Sequence, residues 1–333
     1  MRELDIKGAP REHGLSIILP MFVGADSRQR RFQISRCIES VLEQDISIPF
    51  EVIIVDDGSP ISVELVIPEK LKLATMRIVK LRRNRGLVFA LNTGINLARF
   101  EFVARIDDDD YWLPKKIEKQ LALLQDNPDI SIVATGMERR DQSGALIDTH
   151  VRSDGWENVL KFSVDVGCPF PHGSVVGRTN VFKTLGGYSN ALATQHAEDY
   201  ELWSRWIRFF MPAMIEEVLY SYTVSDNGVS TIHSAQQMAA SRLVNLRLRE
   251  LGNVTFLPAM MRELSITLGL NLASAGFLLH DLWSNGRRLE WPRPAIDLAI
   301  KMLPDRMIGL ENDENKWTRF DQSPEDVFRL TAV

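Results

Sequence analysis

The sequence predicts an α/β fold, an open and mostly parallel sheet with flanking helices, followed by a helical C-terminal region. Three observations predict it. Short apolar runs of strand length alternate with helical patterns over the first 136 residues, as in sheets built from strand–helix–strand units. Several of these runs stop at polar or acidic residues. From about Thr231, apolar residues recur at helical spacing to near the end of the chain.

The composition is that of an ordinary globular protein and argues against a nucleic-acid-binding function. The 333 residues are 45% hydrophobic and 25% charged, with a formal net charge of −5. This charge gives no basic excess, so nucleic acid is not an expected partner. The two cysteines, Cys37 and Cys168, show no disulfide or metal spacing, which fits a reducing cytosol. Residues 1–11 are charged and lack the apolar core of a signal peptide. We therefore expect a cytoplasmic protein.

The first 136 residues contain five predicted strands and three predicted helices. The strands are expected at 15–20, 50–55, 76–81, 100–104 and 130–135. The helices are expected near 27–42, 86–99 and 114–125, the last with Pro114 in its first turn. Beyond residue 136 the alternation ends. We expect a hairpin strand at 144–151, a short helix at 155–162, a strand at 173–177 and a helix from Glu198 that buries Trp203 and Trp206.

An acidic stretch, Arg105-Ile106-Asp107-Asp108-Asp109-Asp110, follows the fourth strand. Four adjacent carboxylates raise one another's pKa values unless a cation compensates them. Their oxygens suit Mg²⁺ or Mn²⁺. On an extended chain, Asp108 would point away from Asp107 and Asp109. Taken alone, the stretch is interpreted equally well as an acidic turn before the next helix.

Two other strand ends are polar, at Pro20 and at Asp56-Asp57. In an open α/β sheet the ligand crevice lies beyond the carboxyl ends of the strands. Both ends should therefore meet the acidic stretch in one crevice. The glycine-rich dinucleotide fingerprint and the phosphate-loop lysine motif are absent from the sequence.

Residues 14–225 resemble the inverting, non-processive glycosyltransferases of family 2, which have the Rossmann-like GT-A fold. Six segments carry the resemblance in the family's order: 16–20, 50–59 (FEVIIVDDGS), 84–86 with 90–94, 105–110 with Pro114, 172–178, and 198–203. Two features depart from the family. Met21-Phe22-Val23 stands where Thr-Tyr-Asn is common, and Ser204-Arg205-Trp206 lies too close to Glu198 for the Gln-x-x-Arg-Trp motif of processive members. A polymerising synthase is therefore disfavoured.

The resemblance implies transfer of a sugar from a nucleotide-diphospho-sugar to a hydroxyl of a glycan or lipid-linked acceptor, with inversion. The expected setting is bacterial surface polysaccharide biosynthesis. Asp199 would be the general base, and Asp109 and Asp110 would hold Mg²⁺ or Mn²⁺. His172 and Glu198 would lie on the acceptor side. The residues expected to bind the nucleotide-sugar are Pro20, Phe22, Asp56, Asp57, Asn84, Arg85, Arg105, Asp107 and Asp109.

Several of these assignments have structural alternatives. Asp199 could cap its helix, because carboxylates favour the first turn. The segment 56–59 could be a simple turn, and Arg85 could belong to a solvated basic loop. Two other functions also stay open. One is a sugar nucleotidyltransferase, although its glycine-rich basic loop after the first strand is missing. The other is a catalytically silent protein that binds sugar nucleotides.

The resemblance divides the chain into three parts. Residues 1–13 would be an N-terminal extension. Residues 14–230 would form the GT-A domain, with a nucleotide-sugar half at about 14–136 and an acceptor half at about 137–230. Residues 231–333 would be a helical region, either a cap on the catalytic domain or a peripheral contact with the inner face of the plasma membrane. The membrane alternative rests on Arg287, Arg288, Arg293, Lys301 and Arg306 beside apolar stripes.

Overall fold

The computed structural model of the chain describes residues 12–225, 232–250, 256–285 and 327–332. Residues 1–11 of the expected extension lie outside these ranges. The same holds for the five basic residues, from Arg287 to Arg306, on which the membrane alternative depends.

The strands of the described chain form one mixed sheet. They are β1 (Glu12–Met21), β2 (Phe50–Asp56), β3 (Met76–Leu81), β4 (Phe100–Arg105), β5 (Tyr111–Trp112), β6 (Ile130–Arg140), β7 (Leu146–His150), β8 (Val176–Arg178), β9 (Met211–Thr223) and β10 (Val327–Ala332). Their order across the sheet is β10-β3-β2-β1-β4-β8-β6-β9-β5, with β7 paired to β6.

Ten α-helices lie in the described ranges and cover the sheet. They are α1 (Arg28–Leu42), α2 (Val63–Val66), α3 (Leu87–Leu97), α4 (Lys116–Asp126), α5 (Trp156–Asp165), α6 (Thr179–Thr184), α7 (Glu198–Phe209), α8 (Ser234–Arg249), α9 (Phe256–Leu268) and α10 (Leu272–Asn285). The predicted α/β fold with a helical C-terminal region is confirmed.

The centre of the sheet is parallel and fully covered. Strands β3, β2, β1 and β4 run in the same direction. Alternate residues of β2 divide between two cores, with Ile53 and Val55 in one and Val52 and Ile54 in the other. Burial on both faces explains why these strands are continuous apolar runs rather than alternating ones. The carboxyl ends of β1, β2 and β4 therefore meet at one edge, which is where the crevice was predicted.

The second half of the sheet is mixed. Strand β8 is antiparallel to both β4 and β6, whereas β6 and β9 are parallel. The strand predicted at 173–177 begins later, at Val176, and a 3₁₀ turn covers His172–Ser174. The carbonyl of Gly173 instead accepts a hydrogen bond from the indole of Trp112, at 3.1 Å. The Trp112 side chain thus binds a backbone carbonyl that a longer β8 would have used for strand pairing.

The C-terminal helices pack on the end of α7. Leu264 in α9 and Leu278 in α10 are buried in the same core as Trp203 and Trp206. Both tryptophans are completely buried, which confirms their prediction as core residues. The ring of His280 contacts Phe209 at 5.6 Å between centroids. Strand β10, which pairs antiparallel with β3, was not predicted. None of the helices in the described ranges is long and apolar enough to span a membrane.

Candidate active site

Asp56 closes a tight turn at the carboxyl end of β2. Its Oδ1 accepts a hydrogen bond from the backbone N–H of Ser59 at 2.8 Å, and the Ser59 hydroxyl accepts one from Val23 at 2.9 Å. Gly58 has a φ of 68°, and a Cβ there would lie 2.2 Å from the carbonyl carbon of Arg83. Only glycine fits this position. The predicted turn at 56–59 is therefore present, and it joins the ends of β1 and β2.

Asp57 holds the loop that precedes α3. Its two carboxylate oxygens accept hydrogen bonds from the backbone N–H groups of Arg85 and Gly86, both at 2.8 Å. Burial raises the pKa of Asp57, and these two backbone donors oppose the rise. The exposed guanidinium of Arg85 lies over the ring of Phe89, 4.2 Å from its centroid. Asn84 is also exposed, and its Oδ1 accepts a bond from Gly86 at 3.1 Å.

Phe22 and Pro20 flank the same edge. The side chain of Phe22 is 42% exposed, as a ring that stacks on a ligand must be before it binds. Pro20 is buried within β1 and aligns with Val55 of β2. Phe22 therefore has a surface for a ligand, whereas the Pro20 ring shapes the backbone beneath it.

The four carboxylates after β4 have four different environments, and three of them are paired within the protein. Both terminal nitrogens of Arg105 donate to Asp107, one of them at 2.9 Å. Asp108 forms an ion pair with Arg30 of α1. Burial raises the pKa of Asp108, and the charge of Arg30 opposes the rise. Asp108 differs from its neighbours because it is held by α1, and not through strand alternation, since β4 ends at Arg105 and Asp108 lies in a turn.

Asp110 is completely buried. It accepts hydrogen bonds from the hydroxyl of Tyr220 and from the backbone N–H of Thr223, the latter at 2.7 Å. Burial, followed by the charges of Asp109 and Asp107, raises its pKa well above the ordinary value. Asp110 as a metal ligand stays a prediction. The structure gives both of its oxygens donors within the protein, so an ion would have to share them.

Asp109 is the exception in the acidic stretch. Within the described ranges, no other residue donates a hydrogen bond to its half-buried carboxylate. Burial and the charges of Asp108 and Asp107 raise its pKa to about 7. The charge of Arg30 opposes this rise without cancelling it, and a divalent cation would relieve the remaining repulsion. Within those ranges, however, no three His, Cys, Asp or Glu side chains are already arranged around one point as a metal site.

The sequence did not reveal which residues hold the acidic stretch from outside. Arg36 of α1 donates to the backbone carbonyl of Asp109 and to the hydroxyl of Thr223, both at 2.9 Å. The Cys37 thiol contacts the carbonyl of Asp107 at 3.3 Å. These partners, with Arg30 and Tyr220, lie on α1 and β9, about 70 to 110 positions away in sequence. No local pattern connects such distant positions.

Asp199 and Glu198 open α7 on the acceptor side. The Oδ1 of Asp199 accepts a bond from the backbone N–H of Tyr200 at 2.7 Å, and its Oδ2 contacts the Cys168 thiol at 3.5 Å. Asp199 lies in the first turn of α7, but the N-cap residue is Ala197. Burial raises the pKa of Asp199. Burial and the charge of Asp199 raise the pKa of Glu198 to about 7. His172 is near them, and its Nε2 lies 2.9 Å from the hydroxyl of Tyr188.

The guanidinium of Arg105 contacts the acidic stretch at Asp107, and its charge also acts on the start of α7. Its charge acts on Asp107, and it lowers the pKa values of Glu198 and Asp199 against the effect of burial. The two predicted groups of carboxylates are therefore close enough for the charge of Arg105 to act on both. Asp57 and the loop 84–86 border the crevice at the end of β2.

A protein family and several known proteins are similar to this chain. A family model described as "Glycosyl transferase family 2" matches residues 16–186. The amylovoran biosynthesis glycosyltransferase AmsE of Erwinia amylovora is 30% identical over 181 residues. The match covers 54% of this chain and 65% of AmsE. The matched region thus spans slightly less than two thirds of that relative.

Two solved structures share the fold. TarS 1-349 of S. aureus, in complex with UDP-GlcNAc, superposes with a TM-score of 0.52 at 17% identity, covering 89% of this chain and 83% of that chain. The mannosyltransferase PcManGT of Pyrobaculum calidifontis, in complex with GDP-Man and Mn²⁺, superposes with a TM-score of 0.50 at 17% identity. That match covers 94% of this chain and 89% of the other.

Proposed function

The chain belongs to glycosyltransferase family 2, and from that premise we propose that it transfers a sugar from a nucleotide-diphospho-sugar to a hydroxyl of a glycan or lipid-linked acceptor. The observation that carries the proposal is the position of the acidic stretch at the carboxyl end of β4, on the same sheet edge as the Asp56 turn and the loop that Asp57 holds. The name of AmsE supports a place in bacterial surface polysaccharide biosynthesis.

The donor is proposed to lie across the carboxyl ends of β1, β2 and β4. Phe22 offers a ring face to the nucleobase. Asp57 fixes the loop 84–86 through two backbone N–H groups, so that Asn84 and Arg85 are held at the rim of the crevice. Asp107, held by Arg105, and Asp109 face the ribose and diphosphate. Asp56 supports this edge through its turn with Ser59.

The carboxylates fit a divalent cation at Asp109 better than at the other three positions. Its raised pKa and its lack of a donor from another described residue are the observations that support the fit. When bound, Mg²⁺ or Mn²⁺ would neutralise the charge that develops on the departing nucleoside diphosphate. The Mn²⁺ in the PcManGT complex supports this class of ion.

Asp199 is proposed to remove the proton from the acceptor hydroxyl as that oxygen attacks the anomeric carbon. Its hydrogen bonds from Tyr200 and Cys168 stabilise the ionised form that a base needs. Glu198 and His172 border the acceptor. A single displacement with the base and the leaving group on opposite sides of the sugar inverts the anomeric centre, so an α-linked donor gives a β-linked product.

A donor panel tests the proposal. The purified chain is incubated with UDP-, GDP- and dTDP-sugars, with Mg²⁺ or Mn²⁺, and released nucleoside diphosphate is measured. We expect slow hydrolysis of one donor and faster release with an acceptor, both lost in Asp199→Asn. Tight donor binding without release from any donor or acceptor would instead support a silent binding protein. Chemistry that depends on pyrophosphate would support a nucleotidyltransferase.

We also propose that the donor is used on the cytoplasmic side of the membrane and that the C-terminal helices are a cap on the catalytic domain, with a peripheral membrane contact as the alternative. Flotation with anionic liposomes tests this contact. Flotation of the full chain, but not of a chain cut near Thr231, would support the membrane contact. If neither floats, the membrane contact is wrong and the C-terminal helices are a cap alone.

A further inference from the structure

Phe22 is the first residue after β1, and its exposed ring faces the proposed donor site. The residues on either side of it, Met21 and Val23, are buried and bound to the turn after β2. The carbonyl of Met21 accepts a hydrogen bond from the N–H of Asp57 at 2.9 Å, and the N–H of Val23 donates to the Ser59 hydroxyl at 2.9 Å. The backbone of Phe22 itself has partners elsewhere in the chain.

Arg30, in the first turn of α1, holds the backbone of Phe22. Its Nη2 donates one hydrogen bond to the Phe22 carbonyl at 3.3 Å and another to the carboxylate of Asp108. The backbone N–H of Phe22 donates to the same carboxylate. Both backbone polar groups of Phe22 are therefore bound to one ion pair, which joins the end of β1, the start of α1 and the acidic stretch.

The ion pair between Arg30 and Asp108 is formed before any ligand binds. The side chains of Arg30 and Asp108 are only 20% and 12% exposed. The hydroxyl of Ser27, the N-cap of α1, accepts a hydrogen bond from the backbone N–H of Arg30 at 3.1 Å, so the main chain of the arginine is also fixed. Removing either partner of such a pair is costly, because the other charge is left poorly solvated.

The ring of Phe22 lies against Gly24. A Cβ at position 24 would lie 3.3 Å from the ring, so the glycine leaves room for it beside the backbone. The backbone of Phe22 is held by Arg30 and Asp108, and its ring is restricted by this contact. A ring that is restrained before binding loses less conformational freedom when a nucleobase stacks on it.

We propose that Arg30 is a positioning residue for nucleobase recognition, because its hydrogen bonds to the Phe22 carbonyl and to Asp108 hold the Phe22 ring in the orientation that stacks on the base of the donor. The inference rests on the proposed function, in which Phe22 faces the nucleobase. In this role Arg30 contacts no substrate and acts through Phe22. Helix α1 therefore contributes to donor affinity, although its side chains lie behind the ring.

Two substitutions of Arg30 separate its hydrogen bonds from its charge. Arg30→Met removes both. Arg30→Lys keeps the charge beside Asp108, but its side chain is one bond shorter and lacks the planar guanidinium that reaches both acceptors. Arg31→Met is the matched control. Arg31 is the next residue of α1 and pairs with Asp26 at 2.7 Å, but its side chain is 45% exposed and its other bond is to the Leu65 carbonyl. Circular dichroism and urea unfolding check the folding of every variant.

The first readout is the affinity for UDP, GDP and dTDP with Mn²⁺, measured by calorimetry in a double-mutant cycle. We expect Phe22→Ala to weaken binding by roughly 5- to 150-fold, the usual range for one stacked base. Arg30→Met and Arg30→Lys should also weaken it. The double variant Phe22→Ala with Arg30→Met should bind no more weakly than Phe22→Ala alone, because Arg30 acts through the ring.

Three results of the cycle would overturn the proposal. Additive losses would mean that Arg30 acts through its charge on Asp109 rather than through Phe22. Full affinity in Arg30→Lys would mean that the charge alone is sufficient. An equal loss in Arg31→Met would mean that any change in this turn of α1 has the same effect. If Arg30→Met does not fold, the same cycle is measured with Arg30→Lys.

The second readout needs no ligand. Hydrogen exchange of the Phe22 amide, whose acceptor is Asp108, is followed by NMR and corrected for the change in global stability. We expect faster exchange at Phe22 in Arg30→Met and Arg30→Lys, with the amides of Asp57 and Ser59 unchanged. Arg31→Met should leave all three rates as they are in the unaltered chain. An unchanged rate at Phe22 in both Arg30 variants would contradict the inference.

The two readouts also separate the inference from the proposed function. Faster exchange at Phe22, in a chain that binds none of the three nucleotides, would sustain the hold of Arg30 on Phe22 and overturn the donor site. Nucleotide binding with an unchanged exchange rate at Phe22 would sustain the donor site and overturn the role of Arg30.

Discussion

The hydroxyl of Tyr220, near the end of β9, donates a hydrogen bond to the buried carboxylate of Asp110. Gly173 makes this approach possible, because a Cβ there would lie 2.4 Å from the Tyr220 hydroxyl. The backbone N–H of Thr223 donates to the other oxygen of Asp110 at 2.7 Å. The second half of the chain therefore holds the last residue of the acidic stretch, and the conformation of that stretch depends on β9.

Tyr220→Phe should reduce the free energy of unfolding by about 1–3 kcal/mol, because it leaves one oxygen of a buried carboxylate without its donor. Urea unfolding measures the change. In a double-mutant cycle with Asp110→Ala, the two effects should not add, since both substitutions remove the same hydrogen bond. Additive effects would mean that the hydrogen bond contributes nothing of its own.

Asp57→Ala should weaken nucleotide binding by about 1–3 kcal/mol and also lower stability, because the N–H groups of Arg85 and Gly86 both lose their acceptor. Calorimetry with nucleoside diphosphates and urea unfolding measure the two effects. Asp57→Asn, which keeps one acceptor oxygen, should give an intermediate result. Unchanged nucleotide affinity in a folded Asp57→Ala would move the nucleotide away from this loop.

Asp109→Asn should remove most of the metal-dependent turnover, because it deletes the carboxylate with the least compensation in the acidic stretch. Asp108→Asn is the matched control. Since Asp108 is paired with Arg30, its loss should lower stability but leave the dependence on Mn²⁺ concentration unchanged. Titration of turnover against Mn²⁺ separates the two variants. The same dependence in Asp109→Asn as in the unaltered chain would show that the ion is held elsewhere.

Asp199→Asn should keep donor binding while turnover falls by roughly 10²–10⁴-fold, the usual contribution of general-base catalysis. The product of the unaltered enzyme should be inverted, which the anomeric coupling in NMR reads directly. An α product from an α donor would exclude the single displacement. If Asp199→Asn is fully active, the base is another residue, and Glu198 is the next candidate because its pKa is already about 7.

Lys116 should make stability depend on pH. Its ammonium group is completely buried, with Gln120 Oε1 at 2.8 Å and the ring of Trp112 at 4.2 Å, and burial lowers its pKa well below the usual value. The unfolded chain still binds this proton up to about pH 10.4. Between the folded and unfolded pKa values, the unfolding free energy should therefore rise by about 1.4 kcal/mol per pH unit.

Urea unfolding at several pH values measures how the unfolding free energy changes with pH. Lys116→Met is the reference, because its side chain does not titrate. The difference in unfolding free energy between the two proteins should change with pH below about pH 10. Above it the difference should be constant, because Lys116 is then neutral in both the folded and the unfolded chain. Parallel curves over the whole range would mean that the folded protein accepts the charged form.

The amino-acid sequence by itself determined the parallel centre of the sheet, the helices around it and the edge at which the candidate site lies. Strands such as β2 are recognisable because residues on both faces must be apolar when both faces are covered. The carboxyl ends of parallel strands meet at one edge, so the polar residues Asp57 and Asp109 could be assigned to one crevice before any coordinate was known. These inferences need only local periodicity and a rule of topology.

Only the tertiary structure decided which carboxylate has which partner. Asp107 to Asp110 are equivalent in sequence, but the structure pairs three of them with Arg105, Arg30 and Tyr220 and leaves Asp109 without such a partner among the described residues. The burial of Arg105 is likewise not apparent from the sequence. Charges interact through space, and their distances depend on the packing of α1, β4, α7 and β9. A local pattern contains no information about contacts between segments about a hundred residues apart, so the electrostatics of the site follow from the fold alone.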